Sequence, residues 1–150
     1  MKIPVMSALF ANNESPDILF WVGCAGSFDQ RAQKITKAFV SILNKVQIKY
    51  AILGKEEACT GDPARRAGNE FLFQMMAYQN IQVLNNYGIK KIVTACPHCF
   101  NIIKNEYPEL GGTYEVIHHA VFLQQLIDAG KIKMKETGDL KGKRTTYHDS

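Results

Sequence analysis

The chain has 150 residues, of which 46% are hydrophobic and 21% charged, a balance typical of one globular domain rather than a disordered or fibrous protein. No apolar run approaches the about 20 residues that span a bilayer, and residues 1–5 do not begin a signal peptide, so we expect a cytoplasmic protein without direct membrane insertion. Residues 131–144 hold six of the 18 Lys and Arg residues, so the net charge of +4 is local and does not predict a nucleic-acid-binding surface.

The first third of the chain predicts a lead-in, a strand–helix unit and a second strand. Residues 1–17, interrupted by polar residues and a proline, are expected to be irregular. The continuous apolar run 18–22 predicts a strand buried on both faces. After a turn, the apolar residues of 29–46 recur on one helical face, and residues 50–53 predict the second strand.

A long helix is predicted after the second strand. Asp62 is expected to be its N-cap and Pro63 its first residue, and Gly88 marks its end. Met75 and Met76 are assigned to the core. The other side chains placed on this helix are Phe71, Leu72, Tyr78, Gln79 and Gln82.

The rest of the chain continues the alternation. The predicted elements are strands at 91–95 and 114–117, a helix from Pro97 to before Pro108, a helix at 120–129 and a final extended piece at 144–147. Repeated strand–helix alternation predicts an α/β, Rossmann-like three-layer fold with a mostly parallel sheet of about four to five strands. We divide the chain into the lead-in 1–17, a cysteine-rich domain over 18–130, and a basic connector over 131–150 that begins a further, truncated unit.

The four cysteines, Cys24, Cys59, Cys96 and Cys99, all lie in loops or helix starts that follow predicted strands. Loops that leave the carboxyl ends of parallel strands share one edge of the sheet, where ligands bind, so we expect the four thiols to converge there. Four converging thiolates suit tetrahedral zinc or an iron–sulfur cluster. Cysteines from separate loops favour the wider [4Fe–4S] cluster, because zinc sites usually pair two short knuckles and only 96–99 is one.

The segment Cys96-Pro97-His98-Cys99 also has a competing interpretation. A CxxC pair at a strand-to-helix junction is typical of thioredoxin-like thiol–disulfide oxidoreductases. Its position after two strand–helix units disfavours a plain thioredoxin fold. A zinc-binding structural module is the third interpretation, and His98 is expected to point to solvent rather than to a metal.

Residues 22–26, 57–68 and 96–99, in this order, resemble the cysteine-rich CCG domain found in heterodisulfide reductase and related iron–sulfur oxidoreductases. The resemblance implies an iron–sulfur-binding domain, the first of two tandem copies in a larger redox protein, of which this chain is a fragment. It supports an electron-transfer role for a cluster held by all four cysteines. Whether such a fragment is itself an enzyme is left open.

One position departs from the family pattern. Where the family motif reads Cys-Cys-Gly, this chain reads Cys59-Thr60-Gly61. The missing thiol disfavours the non-cubane cluster of heterodisulfide reductase and favours a cubane [4Fe–4S] cluster. The chain looks closer to oxidoreductases associated with electron-transfer flavoprotein. The resemblance therefore implies that flavoprotein or other redox subunits as partners, and through them a peripheral location at the inner membrane.

Other candidate residues surround the predicted cluster, with Thr60 and Gly61 expected beside it. Arg65 and Arg66 lie in the first turn of a helix, where cations are unfavourable, so they either answer an anion or pair with Glu70. His118 and His119 follow the fourth strand. One hypothesis gives them a hydrogen bond to a cluster sulfur, and the favoured one makes them solvated residues that cap the next helix.

Overall fold

The computed structural model describes residues 3–134, 142–144 and 146, and in this part of the chain four parallel strands form one sheet in the order β2-β1-β3-β4. The strands are β1 (Ile18–Trp21), β2 (Tyr50–Ala51), β3 (Lys91–Thr94) and β4 (Glu115–His118). The register of β1 and β3 places Trp21 beside Thr94 at their carboxyl ends. The predicted α/β fold with a parallel sheet is confirmed.

Helices cover both faces of the sheet. They are α1 (Met6–Ala11), α2 (Gly23–Phe28), α3 (Gln30–Lys45), α4 (Asp62–Arg66), α5 (Glu70–Asn86), α6 (Pro97–Asn101) and α7 (His119–Asp128). Leu19 and Trp21 of β1 pack in the core with α1, α5 and α6, whereas Ile18 and Phe20 pack with α3 and α7. Because successive strand side chains point to opposite faces, this double cover explains why β1 is a continuous apolar run.

The prediction that residues 1–17 are irregular was wrong, because α1 lies within them. Met6 is almost fully buried in the core, and its backbone N–H donates to the Ile52 carbonyl at 2.8 Å. Val5 forms a parallel bridge with Ile52, so the start of the chain covers the edge of the sheet beside β2. The polar residues that suggested a loop follow the helix and end it.

The single long helix predicted after the second strand is two helices, α4 and α5. Gly61, not Asp62, is the N-cap of α4, and the chain turns at Gly68 with a φ of 81°. Asn69 then caps α5, its side chain accepting the Leu72 backbone N–H at 3.1 Å. The break changes which side of the helix meets the core.

The face of α5 suggested by the sequence is therefore exposed. Met75 is 56% exposed, so its assignment to the core was wrong, and Met76 is half-buried. Phe71, Leu72 and Tyr78 are also exposed. The core side of α5 is instead formed by Phe73, Ala77, Asn80, Ile81 and Leu84.

Smaller differences concern element ends. The turn predicted after β1 is the short helix α2. The helix that begins at Pro97 continues through a π-helical turn, Ile102–Glu106, into a 3-10 turn, Tyr107–Leu110, which accommodates Pro108 in its first turn. The predicted final strand at 144–147 and the connector at 131–150 lie largely outside the described residues.

Candidate functional site

A cavity of about 250 Å³ lies beyond the carboxyl ends of β1 and β3. The chain order of the strands reverses at β1, and ligands of open α/β sheets bind at such switch points. All four cysteines line this cavity. Its full lining is Trp21, Gly23, Cys24, Ala25, Ala58, Cys59, Thr60, Asp62, Pro63, Cys96, His98 and Cys99. The structure thus brings together the thiols that are distant in the sequence, and we call this space the cysteine cavity.

A carboxylate holds the loop that carries Cys24. Glu57 accepts the backbone N–H groups of Val22 at 3.0 Å and Gly23 at 2.6 Å. Burial raises the pKa of Glu57 to about 7, against the opposing effect of these two hydrogen bonds. The contact ties the start of α2 to the loop before Cys59. Sequence reasoning missed this role, because nothing local links Glu57 to residues so far away in the chain.

A buried polar network holds the loop that carries Cys59. Asn80, fully buried on α5, donates to the Cys59 carbonyl at 2.9 Å and to the Tyr107 hydroxyl at 3.1 Å. Tyr107 in turn donates its hydroxyl proton to the Thr60 carbonyl at 3.2 Å. Because buried polar groups are costly when unpaired, this network favours one loop geometry. Asn80 was missed because a polar residue on a helix is ordinarily assigned to solvent.

Cys96 and Cys99 contact each other at the start of α6. The Cys96 sulfur accepts the Cys99 backbone N–H at 3.4 Å, and the Cys96 N–H donates to the Thr94 hydroxyl at 3.2 Å. The Cys99 thiol hydrogen bond and nearby backbone N–H groups lower the pKa of Cys96 to about 5. The same contact and burial raise the pKa of Cys99. Cys96 is therefore the thiolate of the pair, and thiolate is the form that binds metals.

Two glycines allow the loops to approach closely. Gly23 has a φ of 76°, and a Cβ there would lie 3.3 Å from the Cys99 sulfur. Gly61, beside Thr60, has a φ of 91°, and a Cβ there would lie 2.8 Å from Cδ2 of Phe73. Only glycine suits both the backbone and the space at these positions.

We expect Gly61→Ala to lower the free energy of unfolding by about 2–4 kcal/mol, because it adds overlap with Phe73 to the strain of a positive φ. Gly68→Ala is the matched control, since its φ is 81° but nothing lies within 4 Å of the new Cβ. The control should cost only about 1–2 kcal/mol. Urea unfolding of both variants measures the difference, and equal losses would show that the Phe73 contact is unimportant.

The two arginines form ion pairs outside the cysteine cavity. Arg65 pairs with Glu106 at 2.7 Å and with Glu70 at 3.7 Å, and lies over the Phe73 ring. Arg66 also contacts Glu106 and pairs with Asp62 at 3.3 Å. The structure thus shows the ion-pair interpretation, although Glu70 pairs with Arg65 rather than Arg66. Neither arginine lines the cavity.

The histidines fall into two groups. The His98 side chain is 74% exposed at the cavity rim, with Nδ1 3.1 Å from Asp62 Oδ2. His118 and His119 do not line the cavity. His119 packs edge-on against Phe39, and burial lowers its pKa below the ordinary value of 6.5, with the nearby His118 contributing.

The lowered pKa of His119 predicts a pH-dependent stability. Below pH 6.5 the unfolded chain binds more protons at this residue than the folded protein does, so the free energy of unfolding is expected to fall as pH decreases through this range. Urea unfolding between about pH 5 and about pH 8 tests this dependence. His119→Phe should flatten the profile, whereas Leu123→Met on the same helix should not. An unchanged profile in His119→Phe would contradict the prediction.

The donor set of the cavity can be compared with known metal centres. Within the described residues, no three Cys, His, Asp or Glu side chains lie close enough together to hold one metal ion. A tetrahedral zinc site needs its sulfurs at about 2.3 Å from one ion, so a single zinc is a poor fit to this arrangement. Four thiols spread around one cavity fit the wider iron–sulfur cluster better.

Comparison with known proteins supports the predicted family. A model of the CCG family, described as a cysteine-rich domain, matches residues 18–104. The chain belongs to the CCG cysteine-rich domain family. This match begins at the first residue of β1 and extends beyond the last cysteine, so it contains all four thiols of the cysteine cavity. No solved structure gives a significant match.

Curated relatives of this CCG domain are longer proteins. It is 46% identical over 134 residues to the EtfAB:quinone oxidoreductase of Syntrophomonas wolfei, covering 89% of this chain and 18% of the relative. It is 42% identical over 149 residues to the probable iron-sulfur-binding oxidoreductase FadF of Bacillus subtilis, covering 99% and 21%. For a component of the dihydromethanophenazine-dependent heterodisulfide reductase of Methanosarcina barkeri, the identity is 37% over 142 residues, covering 91% and 34%. The chain thus spans about a fifth to a third of these relatives.

A further relative carries a membrane term in its name. The probable membrane-anchored ferredoxin of Chromohalobacter salexigens is 39% identical over 146 residues, covering 94% of this chain and 21% of the relative. Within the described part of this CCG domain, no helix combines the length and the apolar character needed to cross a bilayer.

Proposed function

We propose that this CCG domain binds a [4Fe–4S] cluster through Cys24, Cys59, Cys96 and Cys99 and transfers electrons within a larger oxidoreductase. The observation that carries the proposal is the convergence of all four thiols on one cavity at the switch point of the sheet. Relatives named as an iron-sulfur-binding oxidoreductase and as a ferredoxin support the same cofactor class. When bound, such a cluster supplies one-electron chemistry.

The protein residues have separate tasks under this proposal. Cys96 offers a thiolate at neutral pH, because its pKa is lowered to about 5. Glu57 fixes the backbone beside Cys24, and Asn80 fixes the carbonyl of Cys59. Hydrogen bonds that orient ligand loops are part of a metal site, since they decide where the ligands lie.

The cluster type is the finer part of the proposal. Thr60 occupies the position of the second cysteine of the family motif, and it is buried at 2% exposure beside Cys59. The four remaining thiols match the ligand number of a cubane [4Fe–4S] cluster. We therefore propose the cubane rather than the non-cubane form.

The partners are also proposed. Relatives named as an EtfAB:quinone oxidoreductase and as part of a heterodisulfide reductase support redox partners, among them an electron-transfer flavoprotein. A second cysteine-rich copy in a longer chain belongs to the same proposal. In this scheme the domain relays electrons between a flavoprotein or another redox protein and a further acceptor.

Anaerobic reconstitution with ferrous iron and sulfide tests the proposal. We expect a brown protein with about four irons and four sulfides per chain and an electron paramagnetic resonance signal after reduction. A colourless protein with one bound zinc would contradict the proposal and favour a structural zinc module.

A second candidate function follows from one specific observation. The thiolate of Cys96 lies next to the buried Cys99 thiol, an arrangement that also suits thiol–disulfide exchange. A metal-free protein that reduces insulin disulfides in the presence of dithiothreitol, and takes up no iron, would favour this thioredoxin-like activity over electron transfer.

A further inference from the structure

Trp21, the last residue of β1, contributes a buried donor to the cysteine cavity. The side chain is fully buried, and it lines the same cavity as all four cysteines. Its indole Nε1–H has no hydrogen-bond acceptor among the described residues. A buried tryptophan N–H ordinarily finds a partner, so an unpaired one beside a binding cavity indicates an acceptor supplied by the occupant.

Polar side chains around Trp21 already have partners. Both carboxylate oxygens of Asp62, the acidic residue of the cavity lining, are taken, one by Arg66 and the other by His98. Thr94, which pairs with Trp21 across the sheet, accepts the Cys96 backbone N–H through its hydroxyl. These oxygens are therefore engaged elsewhere, and the chemistry left in the cavity lining is anionic sulfur.

We propose that the indole N–H of Trp21 donates a hydrogen bond to a sulfur of the cluster that occupies the cysteine cavity and thereby raises its reduction potential. The inference rests on the proposed function. Hydrogen bonds to cluster sulfurs stabilise the reduced state, which carries more negative charge, so removing one lowers the potential. Trp21 is a positioning and tuning residue in this proposal, because it bonds no iron.

The test replaces the N–H while keeping the shape of the ring. Trp21 is the only tryptophan of the chain, so incorporation of benzothienylalanine, which has sulfur in place of the indole N–H, changes this residue alone. The reconstituted protein with the analogue and the Trp21→Phe variant should both bind the same amount of iron and both titrate at a more negative potential. Phe20→Leu is the matched control, since Phe20 is equally buried on β1 but packs on the opposite face, and its potential should be unchanged.

A second readout uses the wild-type protein. With a single tryptophan, the ¹⁵N-labelled chain gives one indole N–H signal, which we expect to move strongly when iron and sulfide are added. An unchanged signal, or an unchanged potential in the analogue at full iron content, would overturn the role of Trp21 and leave the proposed function intact. Failure of the wild type to take up iron would overturn the proposed function itself.

Discussion

Replacing any one of the four cysteines by alanine is expected to lower the iron bound after anaerobic reconstitution by more than about tenfold, since even residues that only orient metal ligands typically cost about 10–100-fold in affinity. The reason is that all four thiols line one cavity and the chain contains no fifth cysteine to replace a lost ligand. Iron and sulfide assays on the four variants, with the visible spectrum, measure the loss.

His98→Gln is the matched control for the cysteine variants. His98 lies between Cys96 and Cys99 in the sequence, yet its side chain is mostly exposed and contacts Asp62. We expect this variant to keep the wild-type iron content. If Cys24→Ala retained full iron while the other three variants lost it, the four-thiol ligand set would be wrong. If His98→Gln lost its iron, histidine would belong to the set.

Asn80→Ala is expected to lower the free energy of unfolding of the cluster-free protein by about 2–4 kcal/mol, because it leaves several buried polar groups without partners. The groups affected are the Cys59 carbonyl and the Tyr107 hydroxyl, with a weaker contact from the Ala58 N–H at 3.4 Å. Urea unfolding measures the change. We also expect slower iron uptake, since the loop that carries Cys59 loses its anchor.

Asn85→Ala on the same helix is the control for Asn80. The Asn85 side chain accepts the Tyr114 hydroxyl at 2.9 Å, but this hydrogen bond is exposed to solvent. Surface substitutions of this kind change stability by only about 0.5 kcal/mol. Equal losses in the two variants would mean that the buried network does not stabilise the Cys59 loop.

The elements that the sequence predicted well are those with one dominant signal. β1 is a continuous apolar run because helices cover both sheet faces, and α7 ends where Gly130 follows it. The placement of each cysteine after a strand was sufficient to expect a shared edge, because parallel strands end on the same side. The topology therefore followed from local patterns.

The elements that the sequence predicted poorly depend on contacts between distant segments. α5 carries apolar residues on several sides, and the turn at Gly68 decides which side packs inward, so Phe73 is buried while Phe71 is exposed. The roles of Glu57 and Asn80 require knowing what lies opposite them in the fold. Such pairings have no periodic signature, because they join loops rather than faces of regular elements.

The loops of the cysteine cavity leave three different strands, and this has a thermodynamic consequence. Any occupant bonded to all four sulfurs acts as a clasp between β1, β2 and β3, because separating these strands then requires breaking metal–sulfur bonds. By mass action, the melting temperature of the domain becomes a function of iron and sulfide supply. Under the proposed function, a cell short of iron would therefore carry this domain as a looser body, more open to proteolysis than its loaded counterpart.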